Sequence, residues 1–196
     1  TINVVSREEG SGTRGAFIEL TGVQAKNDAG EDVDHTYAEA DFVNGTSLVI
    51  PTVAGDEYAI GYASLASVEN NESVKLVKVN EVEANTENIN AKAYPIARPF
   101  NIVTKGELEN ELAIDFFSFL MSKEGQEVVA ANGLVPVAAE QNYEAKELEG
   151  QLNVGGSTSV APVMEKLAEA YNALNPKADI QIQSTGSTAG VTGPLD

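Results

Sequence analysis

The 196-residue chain contains no cysteine, no tryptophan and a single histidine, His35. The absence of cysteine excludes disulfides, thiol nucleophiles and cysteine-ligated metal sites. His35 lies in the polar run from Glu31 to Tyr37, which is typical of a solvated loop, so a histidine-centred catalytic or metal site has little support. Apolar runs are also short, and none approaches the roughly 20 residues that a membrane-spanning helix needs.

Basic residues are scarce, because 12 Lys and Arg face 30 Asp and Glu and leave a net charge of −18. This balance argues against nucleic acid and anionic membranes as partners. A small buried anion remains compatible with it, since surface charges are screened beyond about 10 Å at 0.1 M salt. Hydrophobic residues make up 42% of the chain, which indicates a globular protein with one large domain or two small lobes.

Residues 6–15, Ser-Arg-Glu-Glu-Gly-Ser-Gly-Thr-Arg-Gly, stand between a strand pattern and a helix pattern. A glycine-rich turn that opens a helix directs backbone N–H groups into one concavity, and the forked guanidinium of Arg7 suits a tetrahedral oxyanion. The alternative is a plain strand–turn–helix connection in which Ser11 caps the helix. This stretch alone leaves both interpretations open.

Two further turns rich in glycine and hydroxyl groups follow strand patterns, at 155–159 and 186–190. Three such turns in an α/β chain predict loops that converge at the carboxyl ends of strands, where open sheets bind ligands. None is followed by the Gly-Lys-Ser/Thr of a nucleotide P-loop. The Gly-x-Gly-x-x-Gly spacing at 10–15 lacks a ribose-binding acid in a βαβ unit, so a dinucleotide site is not supported.

The remaining pattern alternates strands with helices, which predicts the α/β class. Helices are expected at 11–20, 107–122, 123–132 and 160–174, with a short helix near 37–42 and another capped by Thr86. Strands are expected at 58–63, 74–79 and 180–183, and residues 47–54 are either helical or extended. The acid-rich run 138–150 is typical of a solvated linker.

Several segments together resemble the substrate-binding protein of phosphate ABC transporters. The matching stretches are residues 6–17, 59–62, 97–100, 122–126, 156–168 and 186–190. The resemblance implies an α/β fold of type II periplasmic-binding-protein-like lobes, with a mixed sheet flanked by helices, that closes on phosphate.

Carried over to this chain, the resemblance implies a phosphate site built from two lobes. One lobe would contribute Arg7, Ser11, Gly12 and Thr13, and the other Thr158 and Ser159, with Ser187 joining them. Glu9 matches an acid that holds the arginine in place. The family further implies an ABC permease as partner and a location outside the cytoplasm, in the periplasm or as a cell-surface lipoprotein. It implies no cofactor, metal or catalytic residue.

The segments follow one another in an unexpected order. Residues 1–137 resemble the second lobe and C-terminal helices of one phosphate-binding module, and 138–150 would be a linker. Residues 151–196 resemble the N-terminal strand–helix–strand segment of a first lobe that would be incomplete. This order predicts either a cut across two tandem modules or a circular permutation.

Phosphate binding for a transporter is the leading functional prediction. The alternative is a non-catalytic interaction or structural module with a vestigial anion site, which would self-associate through its incomplete lobe. A phosphoryl-transfer enzyme that uses Ser11 or Thr13 is disfavoured, because no basic or metal-binding group is placed to activate a hydroxyl. Arg14 is interpreted as pairing with an acid or facing solvent, and Arg98 as a hinge contact rather than a ligand.

Overall fold

The computed structural model describes residues 1–68 and 71–193, so the end of the predicted segment 151–196 lies outside the described residues. The strands are β1 (Asn3–Arg7), β2 (Gln24–Lys26), β3 (Asp32–Asp34), β4 (Asp41–Val43), β5 (Ala59–Ile60), β6 (Gly150–Gly156) and β7 (Ala178–Ser184). The helices are α1 (Gly12–Thr21), α2 (Thr46–Ala54), α3 (Leu65–Val68), α4 (Thr86–Asn90), α5 (Glu111–Leu120), α6 (Lys123–Ala131), α7 (Ala161–Leu174) and α8 (Ser187–Thr192). The alternation confirms the predicted α/β class.

The strand β1 is the centre of a parallel sheet with the order β4-β1-β5. Its last residues, Val5, Ser6 and Arg7, are all buried, and α2 packs against it. The strands β2 and β3 form a separate antiparallel ribbon beside α1. Parallel and antiparallel pairing therefore occur in different sheets of this part of the chain.

A second hydrophobic core surrounds α7 and the parallel pair β6-β7. The buried face of α7 includes Leu167 and Tyr171, as its helical spacing predicts. The helices α5 and α6 pack on the same core, and the rings of Phe116 and Phe119 lie edge-on to Tyr171 with centroids 5.1 and 5.6 Å away. Helices that precede the 138–150 segment thus share one core with the strands that follow it.

The segment 138–150 contains no helix or strand before Gly150, but it is docked on this core. The hydroxyl of Tyr143 donates to Asp115 Oδ2 at 2.5 Å, and the hydroxyl of Tyr171 donates to the same oxygen at 2.8 Å. Lys146 Nζ lies 3.1 Å from Asp115 Oδ1. The segment is therefore bound through a buried carboxylate rather than solvated along its length.

Three local predictions are wrong. Residues 37–42 form no helix, because Asp41–Val43 extends and pairs with β1 as β4. Residues 74–79 form no ladder with a described strand, and only Val79 makes an isolated bridge to Val82. The cap of α4 is Asn85 instead of Thr86, since the Asn85 side chain accepts a hydrogen bond from the backbone N–H of Asn88.

The carboxyl ends of β1, β4, β6 and β7 each lead into a loop and then into the start of a helix, at α1, α2, α7 and α8. This arrangement places the turns rich in glycine and hydroxyl groups at the carboxyl edges of the two parallel sheets. Among the helices of residues 1–68 and 71–193, none combines the length and apolarity required to cross a bilayer.

Candidate functional site

The three predicted glycine-rich loops meet at one place. The carbonyl oxygen of Gly10 accepts hydrogen bonds from the backbone N–H and the hydroxyl of Thr188, both at 3.2 Å. The hydroxyls of Thr13 and Ser159 lie 2.6 Å apart. Gly12 lies against Ser187, and a methyl carbon built on Gly12 would be 2.9 Å from Ser187 Cβ. The predicted convergence of the loops is confirmed.

A fourth hydroxyl loop, which the sequence reasoning missed, joins β4 to α2 through Gly45 and Thr46. Thr46 is 4% exposed, and its Oγ1 lies 2.9 Å from Ser159 Oγ and 3.1 Å from Thr158 Oγ1. The sequence signal was present, because Asn-Gly-Thr-Ser repeats the glycine and hydroxyl pattern of the other loops. The loop is missed because the helix expected near 37–42 leaves no strand before Gly45, whereas Asp41–Val43 forms β4.

Arg7 links the two halves of this cluster. It ends β1 with only 1% of its surface exposed. Its Nη1 donates to Thr46 Oγ1 at 2.9 Å, and its Nη2 donates to Thr158 Oγ1 at 2.9 Å. One guanidinium therefore contacts hydroxyls on both sides, which is the position that the family resemblance assigns to the anion-binding arginine.

The acid that holds Arg7 is Glu8, and the expectation that Glu9 does so is wrong. Arg7 Nε and Nη2 donate to the two carboxylate oxygens of Glu8 at 2.8 and 2.9 Å, a bidentate arrangement. Burial raises the pKa of Glu8, but hydrogen bonds from Arg7 and from backbone N–H groups, including that of Gly45, outweigh it and leave the pKa below its ordinary value. Glu8 is thus held as a carboxylate at neutral pH and fixes the fork of Arg7.

Ser11 caps α1, because its hydroxyl accepts a hydrogen bond from the backbone N–H of Arg14 at 3.2 Å. The capping interpretation is therefore confirmed, and the contribution of Ser11 to an anion site stays a prediction. Arg14 pairs with Asp34 at 2.7 Å and donates to the carbonyl oxygen of Arg7 at 3.1 Å. Arg14 thereby supports the backbone of Arg7 through its carbonyl oxygen.

Arg98 reaches the same region from the irregular segment 94–104. A methyl carbon built on Gly12 would lie 3.8 Å from Arg98 Nη2. The guanidinium carbon is 5.6 Å from the centre of the Phe100 ring, and burial lowers the pKa of Arg98. Arg98 is thus adjacent to the start of α1 and to Ser187.

Three helices of eight residues or more, α1, α2 and α7, begin at this hydroxyl cluster. Helix N-termini carry partial positive charge and unsatisfied N–H groups, so the cluster offers dipoles, hydroxyls and one guanidinium to an anion. His35 is exposed on the connection from β3 to β4. Within residues 1–68 and 71–193, no group of His, Cys, Asp and Glu is arranged to hold a metal ion. The chemistry of this cluster is that of oxyanion binding.

Comparisons with known proteins agree with this geometry. Residues 1–124 match the family model for the PBP superfamily domain. The chain is 50% identical over 196 residues to a protein named phosphate-binding protein PstS 2 from Streptococcus agalactiae, covering 100% of this chain and 66% of the relative. This single alignment spans the whole chain, so the relative carries the same segments in the same order. The chain spans about two thirds of the length of the curated relatives it matches.

Two solved structures extend the comparison. The phosphate-binding protein of a phosphate ABC transporter from Streptococcus pneumoniae has a TM-score of 0.75 and 46% identity, over 98% of this chain and 74% of that one. A putative phosphate ABC transporter substrate-binding protein from Clostridium perfringens, solved with bound phosphate, has a TM-score of 0.63 and 40% identity, over 70% of this chain and 53% of that one. The chain therefore belongs to the PBP superfamily, among the phosphate-binding proteins of phosphate ABC transporters.

Proposed function

We propose that this chain binds inorganic phosphate between its two halves, as the substrate-binding component of a phosphate ABC transporter. The observation that carries the proposal is the buried guanidinium of Arg7, which donates to Thr46 on one side and Thr158 on the other. Relatives with 46–50% identity are named phosphate-binding proteins, which supports the choice of anion. The proposed ligands are those that the resemblance implies, together with Thr46: Arg7, Ser11, Gly12, Thr13, Thr46, Thr158, Ser159 and Ser187.

Binding replaces contacts between protein hydroxyls by contacts to the anion. Thr13, Thr46, Thr158 and Ser159 now hydrogen-bond one another across the site. Each hydroxyl can rotate its proton toward a phosphate oxygen, and Arg7 supplies two parallel N–H groups. The anion then accepts bonds from both halves at once and favours their closed arrangement.

The site binds its ligand without transforming it. The nearby carboxylate of Glu8 is engaged by Arg7 and by Gly45 N–H, so it is not free to take a proton from a serine or threonine. An activated nucleophile requires such a base within hydrogen-bond reach. The transporter role further implies a permease partner and a location outside the cytoplasm, as a periplasmic protein or a lipid-anchored protein.

Isothermal titration with phosphate, and separately with sulfate, tests the proposal. We expect heat on phosphate addition, a higher affinity for phosphate than for sulfate, and an Arg7→Lys affinity lower by roughly tenfold or more, because lysine lacks the fork. The control is Lys166→Arg, which also keeps the charge and lies at an exposed residue of α7 that pairs with Glu169. No heat with phosphate, or equal affinities for both anions, would refute selective phosphate binding. An unchanged affinity in Arg7→Lys would refute the assignment of Arg7.

A further inference from the structure

The geometry points to Arg98 as a second cation of the anion site, which acts at the rim through its charge. This inference rests on the proposed phosphate binding and adds a residue to the ligand set that the resemblance implies. Arg98 lies outside every glycine-rich loop, yet its guanidinium lies beside two predicted ligands, Gly12 and Ser187. Its position therefore departs from the interpretation of Arg98 as a hinge contact alone.

The placement depends on close packing at Gly12. A methyl carbon built on Gly12 would lie 2.9 Å from Ser187 Cβ and 3.8 Å from Arg98 Nη2, so these three residues meet at the N-terminus of α1. The partial positive charge of that helix end and the guanidinium point to the same small region. An anion bound at Gly12 and Ser187 would therefore lie within the field of Arg98.

Arg98 differs from the other two arginines in its partners. Arg7 is paired with Glu8 and Arg14 with Asp34, whereas the described residues provide no carboxylate within ion-pair distance of Arg98. The ring of Phe100 is its aromatic neighbour at 5.6 Å. Contact with a ring leaves the positive charge unneutralised. The chain has 30 acidic residues that could pair with a cation. Since none of them is paired with Arg98 among the described residues, the positive charge of Arg98 can attract an incoming anion.

The positive charge of Arg98 at the rim counteracts the repulsion between phosphate and this acidic protein. The chain carries a net charge of −18, which repels phosphate, and the charge of Arg7 is offset by Glu8. Arg98 provides a local attraction at the site. Because its side chain is partly exposed, that attraction is screened by salt, unlike the short hydrogen bonds of the buried cluster.

Phosphate affinity measured by isothermal titration at 20 mM and at 300 mM NaCl tests the role of this charge. Arg98→Gln should weaken binding roughly three- to tenfold at low salt and less than about twofold at high salt. Arg98→Lys keeps the charge and should remain within about twofold of the parent. The matched control is Lys177→Gln, since Lys177 precedes β7 and lies a seven-residue strand, about 20 Å, from the site.

Each result decides between a charge-based and a structural role. Equal affinities of Arg98→Gln and Lys177→Gln overturn the inference, and so does a loss in Arg98→Gln that is the same at both salt concentrations. A loss in Arg98→Lys as large as that in Arg98→Gln also overturns it, because the charge would then be irrelevant. A parent protein that binds no phosphate overturns the proposed function together with this inference, whereas normal parent binding isolates the failure to Arg98.

Discussion

Replacing Asp115 by asparagine should lower the free energy of unfolding by about 2–3 kcal/mol at pH 7. Asp115 is 1% exposed and accepts hydrogen bonds from the hydroxyls of Tyr143 and Tyr171. A hydrogen bond to a charged group contributes about 1.5–3 kcal/mol and a neutral one about 0.5–1.5, so the two bonds together lose about 2 kcal/mol. Lys146 is 59% exposed, and its pair with Asp115 adds at most about 1 kcal/mol.

The pH dependence of this loss follows from the pKa of Asp115. Burial raises that pKa, but the hydrogen bonds from Tyr143, Tyr171 and Lys146 outweigh it, so the folded-state pKa lies below the unfolded value of about 3.9. The stabilisation is therefore fully present above about pH 4 and is lost as the pH falls through the folded-state pKa. Asparagine does not titrate, so the parent and the variant should converge as the pH falls below about 4.

Urea unfolding followed by far-UV circular dichroism at pH 7 and at pH 3 measures both effects. The matched control is Asp28→Asn, an exposed aspartate in the turn between β2 and β3 with the same change of charge. We expect this control to lie within about 0.5 kcal/mol of the parent. An Asp115→Asn protein as stable as the control at pH 7 would refute the magnitude. A difference between parent and variant that stays constant down to pH 3 would refute the role of the charge.

Two further substitutions test the site and the second core. Thr46→Val removes the hydroxyl that Arg7, Thr158 and Ser159 contact, so titration should show phosphate affinity lower by about tenfold. Thr52→Val in the same helix should leave that affinity unchanged, and equal losses in the two variants would contradict the assignment. Gly125→Ala makes a methyl group clash with the backbone carbonyl oxygen of Phe119 and should cost about 1–3 kcal/mol in urea unfolding. Gly15→Ala, which meets no atom within 4 Å, is its control, and equal stability of the two variants would contradict the packing argument.

The sequence predicts well the features that short, local residue patterns determine. The strand–turn–helix from Asn3 to Thr21 is one example, because an apolar strand, three glycines and a serine cap specify it without distant partners. The buried stripe of α7 is another, since Leu167 and Tyr171 recur at helical spacing. The meeting of the two loops after β6 and β7 was also predictable, because parallel neighbouring strands end at one edge of their sheet. The loop after β1 belongs to a different sheet, so its approach to them depends on how the two halves pack.

The features that were missed depend on partners far away in the chain. The strand β4 is three residues long and extends because Asp41–Val43 pairs with β1, so the helix expected at 37–42 was wrong and Thr46 was overlooked. Neighbouring acids at Glu8 and Glu9 are equivalent in pattern, and only the backbone geometry after β1 decides which one reaches Arg7. The contact that anchors the acid-rich segment joins Tyr143 to the buried Asp115. It could not be predicted because the sequence does not show that Asp115 is buried.

The two halves of the hydroxyl cluster are joined by contacts that are individually weak. Arg7 and Thr158 are 151 residues apart, and Thr13 and Ser159 are 146 apart, so each bond closes a very long loop. Because water competes for the same groups, the neutral bond between Thr13 and Ser159 contributes a net of about 0.5–1.5 kcal/mol, and the bond from the charged Arg7 about 1.5–3 kcal/mol. A bound anion accepts charge-assisted bonds from both halves, which are roughly twice as strong. Closure of the site should therefore be a modest equilibrium that phosphate shifts in proportion to the contacts it makes only in the closed form.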